Sequence, residues 1–386
     1  YVLGLFALVY TVHCLAGECP STPIQLPCRY SLINDKCGVF CEGEVATNLT
    51  LIFTELAQKL PADQKQFGVF WVGRTNVTEL PANVFAGLQF NLIQIQANKL
   101  QRIYRHAFNG TDTSTTEQYI SDAPVNERVD REWDLFGAIH TLQALNVLHI
   151  ENTSVRSLPT RAISGHKQLK WLNIVNNPIH TIATHAFNDL PSLIDMSVSH
   201  SPIESVAKRA FTVGNGASDQ RIGLDLIGDS LTDKSFADKA FDDMKCAVIL
   251  TLMDNSVRYL NLNVFKGFLS DNPNNTIVDR AVDCNNSRNE WIKKQFPTSN
   301  YNYRLTDRPN HRPRSDPMNT TYSSNDIFND ISYTISGSDG KPVIRSTKFS
   351  DCRWAKHFQR FKAYRLIQLA HVRASQLRAV RHINHK

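Results

Sequence analysis

The sequence predicts an α/β solenoid of stacked coils, with short parallel strands on one side and turns on the other. Three observations predict it. Seven stretches share one apolar pattern. One place in each holds a short polar residue. Six of the seven close on a phenylalanine. Such a chain buries the apolar edge of each coil against the next, so its 386 residues need no single globular core.

The register can be followed place by place. The anchors are Val72, Ile95, Ile150, Ile174, Val198, Leu226 and Leu252, spaced by 23, 55, 24, 24, 28 and 26 residues. Two residues earlier stand Phe70, Ile93, Leu148, Leu172, Met196, Leu224 and Leu250. Apolar residues two apart share one side of a strand, so each pair marks a short strand with one face inward. Five places after the anchors come Val77, Leu100, Val155, Ile179, Ile203, Leu231 and Val257. Thirteen after come Phe85, Phe108, Ile163, Phe187, Phe211 and Phe265, while the sixth coil reaches Phe241 after two extra residues. Three places after the anchors lie Thr75, Asn98, Thr153, Asn177, Ser201, Asp229 and Asn255. These side chains hydrogen-bond backbone, which a sharply turning coil would otherwise bury unpaired. This is the leucine-rich-repeat pattern. It predicts a horseshoe whose concave face carries the strands, over residues 67–270.

Charge and cysteines add an extracellular reading. The net charge of +6 is uneven: residues 351–386 carry nine Lys/Arg and one Asp, and the rest sums to −2. Residues 2–12 form an apolar run with small residues at Cys14 and Ala16, which suits a signal peptide over 1–16 whose basic start lies ahead of Tyr1. A buried strand or an uncleaved anchor is the rival reading. Cys19, Cys28, Cys37 and Cys41 cluster before the first repeat and suit a disulfide cap over 17–66. Three pairings are open to them, and a zinc site is the rival. Cys246 is expected to pair with Cys284, leaving Cys352 over, within or near a degenerate C-terminal cap at 271–296 that includes Trp291. Glycan acceptor tripeptides start at Asn48, Asn76, Asn109, Asn152, Asn274, Asn285 and Asn319. A glycan on Asn152 would obstruct part of the strand face.

The polar ladder, the His-Ala-Phe, Arg-Ala-Phe and Lys-Ala-Phe steps and the cysteine caps resemble extracellular leucine-rich-repeat proteins. The short cap and phenylalanine-ended repeats resemble secreted arthropod proteins related to the non-catalytic subunit of Oplophorus luciferase. The resemblance covers about residues 19–296. It implies a non-enzymatic partner role and does not imply light emission.

Between Phe108 and Leu145 the pattern blurs. Ile120, Val125 and Trp133 fit the anchor, fifth and thirteenth places of one more coil, with Ala123 at the polar place. Asn215, within a second blurred stretch from Thr212 to Asp219, sits between glycines in a surface loop.

The solvent side of the strands is the candidate ligand surface: Trp71, Gln94, His149, Asn173, Ser197, Asp225 and Thr251, then Glu151, Val175 and Met253 just past the anchors. A merely solvated sheet is the plain alternative. An exposed Trp71 favours binding, and the mixed composition suits a protein or peptide better than nucleic acid. No catalytic motif stands out. The pairs His180/His185 and His382/His385 lack further metal ligands, and the acidic run from Asp225 to Asp243 lacks calcium-loop spacing. No cofactor or metal is expected. Residues 297–350 read as a flexible linker and 351–386 as a basic amphipathic helical tail, fit for an acidic polysaccharide or membrane surface. Two functions follow: a secreted interaction module, serving as the non-catalytic partner of an enzyme or in immune recognition, or a matrix glycoprotein held by its tail.

Overall fold

The computed structural model describes residues 18–45, 47–97, 99–128, 132–214, 221–279, 281–282, 286–295 and 343–346. They divide into two compact units. The described residues of Tyr1–Ile179 and Ala186–Leu193 form unit 1, and those of His180–His185 and Ile194–Lys386 form unit 2.

Unit 1 opens with the cap. Strands β1 (Cys28–Ile33) and β2 (Lys36–Gly43) make an antiparallel hairpin turned by Asn34 and Asp35, both at positive φ. Disulfides join Cys19 to Cys37 and Cys28 to Cys41. Of the three pairings open to the sequence, this one locks β1 to β2, since Cys28 and Cys41 stand opposite each other. Helix α1 (Leu49–Lys59) follows, with the Asn48 side chain accepting from the Leu51 N–H at its start. Leu49, Ile52, Phe53 and Leu56 recur at helical spacing and are buried. The helix stops at Leu60, ahead of Pro61.

From β2 onward the strands run parallel, one per coil: β3 (Gln66–Thr75), β4 (Gln89–Gln96), β5 (Glu117–Ala123), β6 (Val147–Thr153) and β7 (Trp171–Val175). Val72, Ile95, Ile120, Ile150 and Ile174 stand level across them, all 0 % exposed. The blurred stretch therefore holds a full coil. Its departures from the pattern are physical. Gln118 takes the buried place two before the anchor, where every other coil has an apolar residue. Trp133 does not enter the core. It lies at the surface with the Arg102 guanidinium 3.8 Å from its ring centre, and Leu135 and Phe136 of α2 (Leu135–Thr141) are buried instead.

In unit 2, β8 (Asp195–Ser199), β9 (Arg221–Ile227), β10 (Ala247–Thr251) and β11 (Thr276–Asp279) repeat the arrangement, with Leu226 level with Val198. Helix α3 (Leu262–Asp271) precedes β11 and buries Phe265 and Phe268. Strand β11 belongs to the sheet although it lies in the segment expected to cap it, and Ile277 is level with Leu250. Beyond it, α4 (Glu290–Gln295) brings Trp291 to donate to the Leu260 carbonyl at 2.9 Å. Strand β12 (Val343–Ser346), within the segment expected as a linker over 297–350, pairs parallel with β11. The segment 1–16, expected as a signal peptide, and the expected tail 351–386 lie outside the described residues.

Two columns hold each unit together. The first is aromatic. Phe85 lies 5.0 Å from Phe70, 5.0 Å from Phe90 and 6.2 Å from Phe108, and Phe53 of α1 sits over Phe70 at 5.4 Å. In unit 2, Phe241 stacks on Phe211 at 5.5 Å and on Phe265 at 5.6 Å. Burying each such ring removes its apolar surface from water and contributes about 1.5–3 kcal/mol.

The second column is polar and runs where the strands end. The residue two past the anchor takes positive φ in Arg74, Asp122, Asn152, Asn176, His200, Gly228 and Asp254, and the next side chain turns inward. Asn177 accepts from the Thr153 N–H at 3.0 Å and hydroxyl at 2.6 Å, and donates to the Ile150 and Val175 carbonyls. Asn255 does the same for Asp229 and Leu231 N–H and for the Leu226 and Leu252 carbonyls. Asp229 accepts from the Ser201 N–H at 2.9 Å. Asn98 lies outside the described residues.

Candidate functional site

Because strand residues alternate, the residues between the buried columns of unit 1 share its solvent face. Strand pairing sets them in rows. One row runs Phe40, Trp71, Gln94, Tyr119, His149, Asn173. On one side of it run Glu42, Gly73 and Gln96, then Ser121, Glu151 and Val175. On the other side are Val69, Leu92, Glu117, Val147 and Trp171.

The aromatic rings are held in specific ways. A Cβ on Gly73 would stand 2.3 Å from Cζ2 and 2.6 Å from Cη2 of Trp71, so the indole lies across the glycine. A Cβ on Gly38 would stand 2.8 Å from Cε2 of Phe40. Further along, the Tyr119 hydroxyl donates to Glu117 at 3.2 Å, and the His149 ring lies 5.8 Å from that of Tyr119. Burial and the Glu117 charge push the Tyr119 phenol well above its ordinary range. His149 Nε2 lies 3.0 Å from the Glu151 carboxylate, which also accepts from the Asn176 amide at 3.2 Å.

The coils, their buried columns and the side-chain ladder at each strand end decide the fold. The chain is a leucine-rich-repeat solenoid. No protein-family profile matches it, and no curated protein does. Similar solved structures include a TLR13–ssRNA13 complex, 18 % identical with a TM-score of 0.42 over 62 % of this chain and 34 % of that one. A Toll–Spatzle complex of Drosophila is 11 % identical with a TM-score of 0.44, over 66 % and 35 %. An octameric complex of Latrophilin 3, Unc5D and FLRT2 (LRR) is 17 % identical with a TM-score of 0.39, over 59 % and 72 %. The leucine-rich-repeat chain thus spans about a third of the length of the first two matched chains.

The predicted face residues of this solenoid separate into two kinds. Trp71, Gln94, Glu151, Asn173, Val175 and Asp225 are partly exposed. His149 in unit 1 and Ser197, Thr251 and Met253 in unit 2 are 9 %, 0 %, 2 % and 6 % exposed, so each is buried within its own unit. Ser197 bonds Ser199 at 3.0 Å. Met253 sits past the end of β10, where the chain has already turned. Two aromatic residues join the face unannounced by the clear repeats. Tyr119 lies next to Ile120 in the blurred coil, and Trp171 lies three places before the Ile174 anchor. Both could have been found by reading every alternate strand position outward from the anchors.

On the flank, a cleft of about 630 Å³ is lined by Arg102, Arg128, Arg156, Trp133 and Glu127. The Glu127 carboxylate accepts from the Arg156 N–H and the Ser157 hydroxyl.

Among the acceptor asparagines, Asn48, Asn152 and Asn274 are exposed, and Asn76 and Asn109 partly so. Asn152 donates to Asp122 at 2.6 Å at the rim of the strand face. Asn285 and Asn319 lie outside the described residues. So does Cys284, and with it the expected Cys246–Cys284 bond; among the described residues Cys246 is a buried thiol in no disulfide. The Cys246 side chain serves as core, 1 % exposed, and burial pushes its thiol up to about 11. His180 faces Glu204 and His185 faces Thr212. Among the described residues, no three His, Cys, Asp or Glu gather as for a metal.

Proposed function

We infer that this chain is a secreted, non-enzymatic binding module that holds an extracellular protein or peptide on the solvent face of the unit 1 sheet. One observation carries the reading: Trp71, Tyr119 and Trp171 are all partly exposed on that one face, among amides and carboxylates. Aromatic side chains kept at a surface supply much contact area at low entropy cost, and they dominate binding energies. Two disulfides in the cap suit an oxidising compartment, and so does the apolar run at residues 2–12. Service as the non-catalytic partner of an enzyme, implied by the resemblance to the luciferase-related proteins, is one form of this role.

Affinity capture from the source fluid tests it. The chain should retain one protein in stoichiometric amount. Trp71→Ala and Tyr119→Ala should each weaken retention by at least about tenfold. Retention unchanged in the double variant would remove this face from the reading.

A second reading rests on the +8 charge of residues 351–386, which fits anchorage to an acidic polysaccharide. Salt-sensitive retention on heparin that disappears on deleting 351–386 would favour it.

A further inference from the structure

We propose that the Trp71 indole, laid across Gly73 and bordered by Gln94 and Gln96, is a stacking platform for a pyranose ring of a neutral glycan carried by the partner. The proposal rests on the reading of the unit 1 sheet as the binding face. It starts from the glycine. Any side chain at position 73 would occupy the space that Cζ2, Cη2 and Cε2 of Trp71 fill, at 2.3, 2.6 and 3.1 Å from a Cβ. The ring is therefore held down on the sheet, and a side chain that is partly exposed in this pose offers a ring face more than an edge. Phe40, laid over Gly38, supports it from the next strand with ring centres 6.2 Å apart. The floor of the platform is thus pre-formed, which spares a ligand the cost of ordering it.

The surroundings choose the class of ligand. The face of an indole carries partial negative charge, so it attracts either a cation or the weakly positive C–H bonds of an apolar face. A cation is disfavoured. Glu42, the carboxylate level with Gly73, is already engaged by Arg29 at 3.3 Å and Arg74 at 3.4 Å, and these guanidinium groups repel a further positive charge. An anion is disfavoured too, because the Asp122 carboxylate borders the same area beside Gln96. What remains is a neutral ligand with an apolar face and a polar rim. On β4, Gln94 is level with Trp71 and Gln96 with Gly73, and the Gln96 amide is oriented by Asp122 at 3.1 Å. Planar amides beside a ring platform match vicinal hydroxyls around a pyranose, each amide offering a donor and an acceptor. A few placed polar groups around an apolar floor are the usual make-up of a small-ligand site.

Calorimetry and tryptophan fluorescence of the full chain with neutral hexasaccharides of glucose, mannose and N-acetylglucosamine test the assignment. At least one should bind, on the order of millimolar or tighter, and alter the fluorescence. Trp71→Ala should remove that binding. Gly73→Ala should weaken it by about tenfold by lifting the indole, with circular dichroism verifying that the sheet remains. Gln94→Ala, which leaves the ring in place, should weaken it severalfold. The proposal is overturned if none of the three sugars binds, if only sulfated oligosaccharides bind, or if binding survives Trp71→Ala. Protein capture that depends on Trp71 and Tyr119, with no sugar bound, would leave the binding face standing and sink the glycan alone.

Discussion

Replacing Asp229 with asparagine should stabilise the protein, and by an amount that grows with pH. Asp229 is a rung of the polar ladder, 0 % exposed. One carboxyl oxygen accepts from the Ser201 N–H at 2.9 Å, while Oδ2 is buried without a partner. In the next coil Asn255 holds the same place, and its amide nitrogen donates to the Leu226 and Leu252 carbonyls. Burial disfavours the charged form, against the weaker pull of the Ser201 N–H, and pushes Asp229 from the ordinary 3.8 up to about 8. The sign follows. The folded state holds the neutral acid, whereas the unfolded chain ionises above 3.8. No stability is lost below that value. Between it and about 8, each pH unit costs about 1.4 kcal/mol, and above about 8 the cost is constant. At pH 7 the penalty is about 4 kcal/mol, and at pH 5 about 2 kcal/mol. Asparagine never ionises and keeps its N–H donors at every pH. Urea unfolding of both proteins, followed by circular dichroism from pH 5 to pH 8, should show Asp229→Asn ahead by a margin that widens by about 1.4 kcal/mol per pH unit. An equal margin at pH 5 and pH 8 would refute a buried neutral acid in the ladder.

Other rungs and columns give further tests. Asn177→Ala leaves the Thr153 N–H and the Ile150 and Val175 carbonyls unpaired, so it should cost about 3 kcal/mol and speed amide exchange at Thr153. Phe85→Ala empties the centre of the aromatic cluster and should cost about 4 kcal/mol in thermal unfolding. Each cap disulfide closes a short loop, of 18 or 13 residues in separation, so reduction should cost about 3 kcal/mol per bond and loosen the β1–β2 amides first. Cys246, buried with its thiol at about 11, should resist iodoacetamide in the native protein at pH 8 and react only on unfolding, as mass spectrometry can follow.

Much of the fold was legible because a coil's pattern is short and each coil repeats it. The anchors, the inward phenylalanines and the rungs Asn177 and Asn255 all lie where the spacing puts them. The coil at Ile120 was harder to see. Gln118 and Ala123 break two of its columns, and Trp133 imitates a third while lying at the surface. The face was half legible. Alternation gave Trp71 and Gln94 their side, but it could not show that Ser197 and Thr251 are buried. Nor could it show that Gly73 is kept clear for an indole two residues away. Exposure on a sheet depends on the height of neighbours in other coils, and those come from 20 or more residues along the chain.

By itself, then, the sequence determined that coils stack, where the strands of the seven clear repeats lie and which of their residues form the seams. That is possible because apolar spacing along a strand acts locally and needs only the next coil to satisfy it. The three-dimensional arrangement alone decided the cysteine partners of the cap, the burial of Cys246, the raised Asp229 and the pose of Trp71. Each of these depends on distances and burial between chain segments far apart in sequence, which no pattern within one coil contains.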